Sequence, residues 1–177
     1  MKKILGLDIS STTIGWALLK CSDDDFTLDD YGYIKPTKNK KFSDIERLSL
    51  AYDEIEKLVR RLSPDEIAVE KYATKFSSGR STARTIIVLS KYNEMVSLCC
   101  FREFGKTTFA YAPISIRSKV SKFFDKKIKS KDDAFDFVCK NISNFKTKLN
   151  RVSKIKKECY DEADAICVAL CHYIVSK

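Results

Sequence analysis

A chain of 177 residues, 44% apolar and 32% charged, has the size and make-up of one globular domain, which excludes disordered, collagen-like and coiled-coil classes. Its net charge of +9 is unevenly placed: residues 114–157 hold 14 Lys and Arg against 4 Asp and Glu, an excess of +10 that leaves −1 for the remainder. So dense a cationic stretch is the footprint of a surface that tracks phosphates.

Ile4, Leu5 and Leu7 form an apolar run without polar alternation, predicting a central strand buried on both faces and interrupted by Asp8. Burying an unpaired carboxylate is costly. Asp8 is therefore a solvent-facing strand end, a cap for the Ser10 to Thr13 turn, or a ligand of metal or phosphate. Ile14 to Leu19 reads as a second strand paired with the first, with Trp16 in the core. After a solvated acidic loop at Asp23 to Asp25, a third strand runs from Phe26 to Ile34. Its alternation slips once, which predicts a bulge near Asp29 and Asp30.

Beyond the basic linker Lys35 to Lys41, Ser43 and Glu46 form a capping pair ahead of a helical repeat: Ile45, Leu48, Ala51, Tyr52, Ile55, Leu58, Val59 and Leu62. Ser63-Pro64 ends that helix. A short buried strand, Asp65 to Glu70, again finishes on a carboxylate. Lys71 to Arg84, with Tyr72, Phe76 and Arg80, is a loop running into a helix over Ala83 to Cys100. That helix is apolar on more than one face, as for one held between a sheet and a second subunit. Thr107 to Ala112 is the fifth strand.

The basic quarter follows. A helix over Pro113 to Phe124 turns Ile116, Val120, Phe123 and Phe124 inward and Arg117, Lys119 and Lys122 outward. A second, over Ser130 to Ile142, turns Ala134, Phe135, Val138 and Cys139 inward, and Lys126, Lys127, Lys129 and Lys131 crowd the turn between the two. Phe145 to Lys157 has no period and is expected to be a mobile loop. The final helix, Tyr160 to Val175, carries Asp161 and Asp164 three apart on one face, where acids are also ordinary partners of the helix dipole. The seven cysteines, an odd count without a C-x-x-C pair, read as reduced core thiols. Cys167, Cys171 and His172 fall short of a zinc site, which needs four ligands. No apolar run is long enough to span a bilayer, so a cytoplasmic or nuclear setting is expected.

If Asp8, Glu70, Asp161 and Asp164 converge, their repulsion calls for cations, and hard oxygen ligands suit Mg²⁺ or Mn²⁺. Two such ions beside a polyanion-binding surface are the equipment of a metal-dependent nuclease. Leu5-Gly6-Leu7-Asp8, Ile67-Ala68-Val69-Glu70 and Asp161-Glu162-Ala163-Asp164-Ala165-Ile166-Cys167-Val168-Ala169 resemble, in order and spacing, the acid motifs of the RuvC family of Holliday junction resolvases, within the RNase H-like superfamily. The resemblance implies an α/β fold of RNase H type, a five-stranded mixed sheet flanked by helices, in a single domain. It also implies a homodimer acting on four-way and other branched DNA by paired symmetric nicks, with Mg²⁺ or Mn²⁺, two ions per site, on the four acids.

By the same resemblance Lys131 is the active-site lysine and Arg117 a phosphate contact. Lys119, Lys122, Lys126, Lys127, Lys129, Tyr72, Phe76 and Arg80 are further DNA-binding candidates, one aromatic serving as a wedge at the crossover. The family's usual Asp-Pro-Gly turn is here Asp8-Ile9-Ser10, a Ser/Thr-rich version that looks more like phage or viral relatives. Two alternatives stand beside this reading. One is a DNA-binding member of the fold that lost its chemistry. The other is a nucleotide-binding domain like those of actin and the sugar kinases, whose phosphate hairpin the Asp8 to Gly15 stretch also resembles.

Overall fold

The computed structural model describes residues 1–37, 39, 41–72 and 83–177. Strands β1 (Lys2–Ile9), β2 (Ile14–Cys21), β3 (Phe26–Ile34), β4 (Glu66–Glu70) and β5 (Thr108–Tyr111) form one sheet in the order β3-β2-β1-β4-β5. The first three pair antiparallel as a meander, whereas β4 runs parallel to β1 and β5 parallel to β4. This is the mixed five-stranded sheet that the resemblance implies. The bulge falls at Asp29, which is skipped where Leu18 pairs with Asp30 and Leu19 with Leu28.

The helices are α1 (Asp44–Leu62), α2 (Ala83–Phe104), α3 (Pro113–Phe124), α4 (Lys131–Asn141) and α5 (Glu158–Val175). Ser43 and Glu46 close a capping box on α1, and Ser130 and Asp133 close one on α4, each satisfying backbone N–H groups that a helix start leaves open. Strand alternation sorts the core into two layers. Leu5, Leu7, Trp16, Leu18, Ile67 and Val69 pack against Ile55 and Val59 of α1 and Val96 and Cys99 of α2. On the other face Ile4, Ala17, Leu19 and Ala68 meet Ala163, Ile166 and Leu170 of α5, with α3 and α4 flanking that helix. Among the described residues no helix is long and apolar enough to cross a membrane.

Three local expectations are corrected. Cys139 is exposed and Phe137 takes the buried position on α4, because the Phe137 ring fills the gap to α3 by packing on Phe124 with centroids 5.0 Å apart. Phe123, expected inward, is 46% exposed and lies at the rim against Tyr173 and Lys177. The stretch from Phe145 to Lys157 is a tied-down hairpin rather than a mobile loop. Phe145 is buried, Tyr31 Oη donates to Lys146 O while accepting from Lys146 N, and Leu149 bridges Ile155. Asn150 Oδ1 accepts from the N–H groups of Val152 and Lys154 at its tip. Side-chain acceptors supplied the order that hydrophobic periodicity did not announce.

Helix α5 is buried on nearly every side, from Cys159 through Tyr173, as a helix apolar all round must be. Two glycines let it press onto the sheet. A Cβ on Gly6 would lie 2.3 Å from the carbonyl oxygen of Ala165, and one on Gly15 would lie 2.1 Å from that of Asp161. Both obstacles are backbone, so neither can yield by a rotamer change. The far end of the helix is pinned by polar contacts: Lys2 Nζ and His172 Nε2 each lie 2.6 Å from Glu66 Oε2, and Tyr111 Oη lies 2.7 Å from His172 Nδ1. A neutral imidazole satisfies this chain, with Nε2–H donating to Glu66 and Nδ1 accepting from the tyrosine hydroxyl. Burial pulls the pKa of His172 down, and the Glu66 carboxylate opposes that only in part. Glu66, which burial alone would raise, is kept low by Lys2 and His172.

Gly15→Ala is expected to destabilise by overpacking, about 1–3 kcal/mol or more, because α5 must back away from β2. Thermal melting reports the loss, and an unchanged melting temperature would show that the sheet and helix are not in such close register. The chain has one histidine, so a single imidazole resonance follows His172. Its folded pKa is lowered from 6.5, so the unfolded chain binds more protons there and the stability from the neutral ring is present above pH 6.5 and lost as pH falls through the depressed value. An NMR midpoint at or above 6.5 would contradict this.

Candidate active site

Register and parity bring four acids to one end of the sheet. Asp8 shares the α5-facing side of β1 with Ile4 and Gly6 and projects beyond them near the end of the strand. Glu70 occupies the matching end of the neighbouring strand β4, since Leu7 pairs with Val69. Ser10 closes the β1–β2 turn itself, its Oγ accepting from Thr12 N and Thr13 N and donating to Thr13 O, so Asp8 is not spent as the cap. The pressed-down start of α5 adds Asp161 and the buried Asp164, one helical turn apart.

At the centre stands Lys131, the first residue of α4. Its Nζ lies 2.8 Å from Asp164 Oδ2, 2.9 Å from Asp161 Oδ1 and 3.9 Å from Asp8 Oδ2. The capping box of Ser130 fixes where that helix begins and hence where this ammonium is delivered. Burial, then repulsion from Glu70 and Asp164, raises the pKa of Asp8 well above the usual carboxylate range, with Lys131 pulling the other way. Glu70 is pushed up to about 7 by burial and the Asp164 charge, opposed by Arg117 and Lys131. Asp164 is likewise raised, mainly by burial, against the pull of Lys131. For Lys131 burial alone would lower the pKa, and the surrounding carboxylates more than reverse it. The site holds more negative charge than one ammonium can balance.

Among the described residues no group of three acids is already set at metal-holding spacing, and the lysine does the neutralising. The donor set nevertheless fits a hard divalent ion. It consists of carboxylate oxygens without sulfur or imidazole, and its raised pKa values report a demand for further positive charge. Asp161 and Asp164 do more than face a helix dipole, because both are ion-paired to a lysine from another helix.

The surroundings divide the DNA-binding candidates. Arg117, close enough to act on Glu70 and Asp164, lines a groove of about 740 Å³ together with Lys122, Lys126, Lys127 and Lys129. Lys119 is not part of that groove, and its charge is felt by Cys171. Tyr72 is half-buried just beyond β4, and Phe76 and Arg80 lie outside the described residues. A second groove, about 820 Å³, opens on the other side of Lys131 and Asp161 and is lined by Thr12, Thr13, Lys35 and Lys157. Sequence reading missed these four, whose only signals were a Ser/Thr-rich turn and a lysine directly after a strand. It also missed Glu162, which is fully buried and paired to Lys148 at 3.0 Å.

Replacing Lys131 by alanine leaves the acids without their internal counter-charge. The melting temperature in EDTA should fall, and Mn²⁺ should raise the variant's melting temperature by more than it raises that of the unaltered chain. Equal Mn²⁺ shifts in the two proteins would show that Lys131 does not share the cation position.

The chain matches the family model described as crossover junction endodeoxyribonuclease RuvC over residues 4–172. RuvC of Ruminiclostridium cellulolyticum is 28% identical over 169 residues, covering 96% of this chain and 90% of that protein, and RuvC of Finegoldia magna is 25% identical, covering 99% and 94%. In fold the chain is similar to Thermus thermophilus RuvC in complex with a Holliday junction substrate, with a TM-score of 0.71, 16% identity and coverage of 99% and 95%. It is also similar to Fowlpox virus resolvase in complex with Holliday junction DNA, with a TM-score of 0.60, 17% identity and coverage of 98% and 97%. The family match spans the strands and the last helix together, which decides against the nucleotide-binding alternative: this chain belongs to the RuvC family of crossover junction endodeoxyribonucleases.

Proposed function

We propose that the chain resolves four-way DNA junctions by metal-assisted hydrolysis at the centre formed by Asp8, Glu70, Asp161 and Asp164, with Lys131 as the active-site lysine. The observation that carries this is the gathering of three of these carboxylates on one ammonium, with the fourth close enough to feel Asp164, near Arg117, which lines a groove rich in lysine. The four carboxylates hold Mg²⁺ or Mn²⁺, two ions per site. Bound there, such ions supply an activated water and stabilise charge on the scissile phosphate.

The chain's own residues do the rest. Lys122, Lys126, Lys127 and Lys129 bind the DNA backbone and set its register without reading sequence. Arg117, half-buried beside Glu70 and Asp164, presents a guanidinium fork to a phosphate near the centre. Lys131 places a fixed positive charge where negative charge grows on the phosphate. Two such sites in a homodimer account for paired symmetric nicks that leave 5′-phosphates. The face of α2 bearing Ile87, Leu98 and Phe101, exposed by 54%, 56% and 61%, is the apolar surface we assign to that pairing.

The test is incubation of the purified chain with Mg²⁺ or Mn²⁺ and labelled duplex, three-way and four-way substrates, followed by nick mapping. Asp8→Asn and Asp161→Asn should reduce cutting to background while retaining junction binding, since these acids serve chemistry and the lysines serve affinity. Cutting at the unaltered rate by either variant would remove the acids from their assigned role.

A further inference from the structure

Helix α5 begins differently from α1 and α4. A capping box fixes the first turn of each of those helices, whereas the N-cap position of α5, Lys157, makes no side-chain capping hydrogen bond. Gly6 and Gly15 set how closely α5 approaches the sheet. A steric stop of that kind limits approach but does not pull the helix to one rotation. Asp161 lies in the uncapped first turn, so the aim of its carboxylate follows the rotation of that turn.

One ion pair supplies such a pull from a side other than that of Lys131. Glu162 stands about 100° round the helix axis from Asp161 and about 200° from Asp164, and it is fully buried. Its Oε1 accepts from Lys148 Nζ at 3.0 Å, while Oε2 has no hydrogen-bond partner among the described residues. Lys148 is held along its length. Its backbone N–H donates to Cys159 Sγ, and its Nζ lies 5.4 and 5.9 Å from the ring centroids of Tyr31 and Tyr33. Cys159 and Glu162 are three apart, so the backbone and the ammonium of one lysine grip the same side of α5. A buried carboxylate with a single donor is a poor way to stabilise a helix whose neighbouring positions are apolar, because a well-packed apolar side chain would do as well or better. Fixing register is the use such a pair does have.

We propose that Lys148 and Glu162 are positioning residues for the cutting reaction: by holding the first turn of α5 against the 145–157 hairpin, they fix the rotation that aims Asp161 at Lys131. Lys131 draws Asp161 and Asp164 from α4, and Lys148 draws Glu162 from the hairpin. Two pulls from different directions leave the turn one orientation, which matters because a reacting group displaced by about 1 Å loses much of its effect. The pair acts through Asp161 and not on the substrate. The inference rests on the junction-cutting reading, yet its main readouts need no cutting.

The experiment uses the full chain. K148M/E162M replaces the pair by apolar side chains of similar length and should keep a melting temperature in EDTA close to that of the unaltered chain. Hydrogen exchange in EDTA should nevertheless quicken roughly tenfold at the amides of residues 159–164 and stay unchanged in the sheet. The Mn²⁺ concentration at the midpoint of the melting-temperature rise should climb roughly tenfold, and single-turnover cutting should fall by a similar factor with junction affinity unchanged. K148R, which keeps the charge, should behave as the unaltered chain does. E162Q, which keeps the side chain's shape and removes its charge, is the milder variant, read in the same way if the first does not fold. Unchanged exchange at residues 159–164 together with an unchanged Mn²⁺ midpoint overturns the positioning role, and so does a lowered melting temperature with no change in that midpoint. An unaltered chain that cuts no junction fails the nuclease reading, while faster exchange and a raised Mn²⁺ midpoint in the variants still support the positioning of Asp161.

Discussion

The close approach of α5 to the first two strands governs everything at the active end of this molecule. Gly6 and Gly15 face backbone atoms of the helix at distances no Cβ could tolerate, and Ala163, Ala165 and Ala169 keep the helix side of the seam slim. Because the contact is backbone on backbone, its spacing is set by sterics and not by adjustable side chains. Asp161 and Asp164 reach Lys131 alongside Asp8 for that reason. An α5 held one side chain further out would carry the same sequence of acids and form no common centre.

That approach creates an electrostatic problem which the fold meets only in part. Four carboxylates share one end of the sheet, and burial raises the pKa of three of them. Lys131 and Arg117 oppose the effect from α4 and α3, yet two cations facing four acids leave net negative charge. A protein that needed only a stable fold would have hydrophobic residues here, since replacing a buried ion cluster by well-packed apolar groups is often neutral or stabilising. Retaining the acids makes sense when divalent ions complete the balance and perform chemistry, as family membership implies.

Much of this was legible in the sequence because the signals were local. Apolar runs ending in acids marked β1 and β4, the Ser43 and Glu46 pair marked the start of α1, and the parity slip marked the bulge at Asp29. What escaped notice depended on contacts between distant segments. The order of the 145–157 hairpin comes from Tyr31, Asn150 and Glu162, none of which contributes to apolar periodicity. Phe137 displaced Cys139 from the core because an aromatic partner, Phe124, waited on α3.

Glu162 ties these themes together. It sits beside Asp161 in sequence but is fully buried, with Oε1 on Lys148 and Oε2 lacking a hydrogen-bond partner among the described residues. A buried carboxylate needs a cation, and here it comes from the hairpin and not from a neighbouring helix. Lys148 is held over the rings of Tyr31 and Tyr33, and Cys159 Sγ bonds to the Lys148 backbone. The hairpin is thereby fastened at the second residue of the acid-bearing turn of α5. Its basic tip, with Arg151 and Lys154, is positioned by the same helix that positions Asp161 and Asp164, so the placement of these cations and of the clustered acids follows from a single packed element.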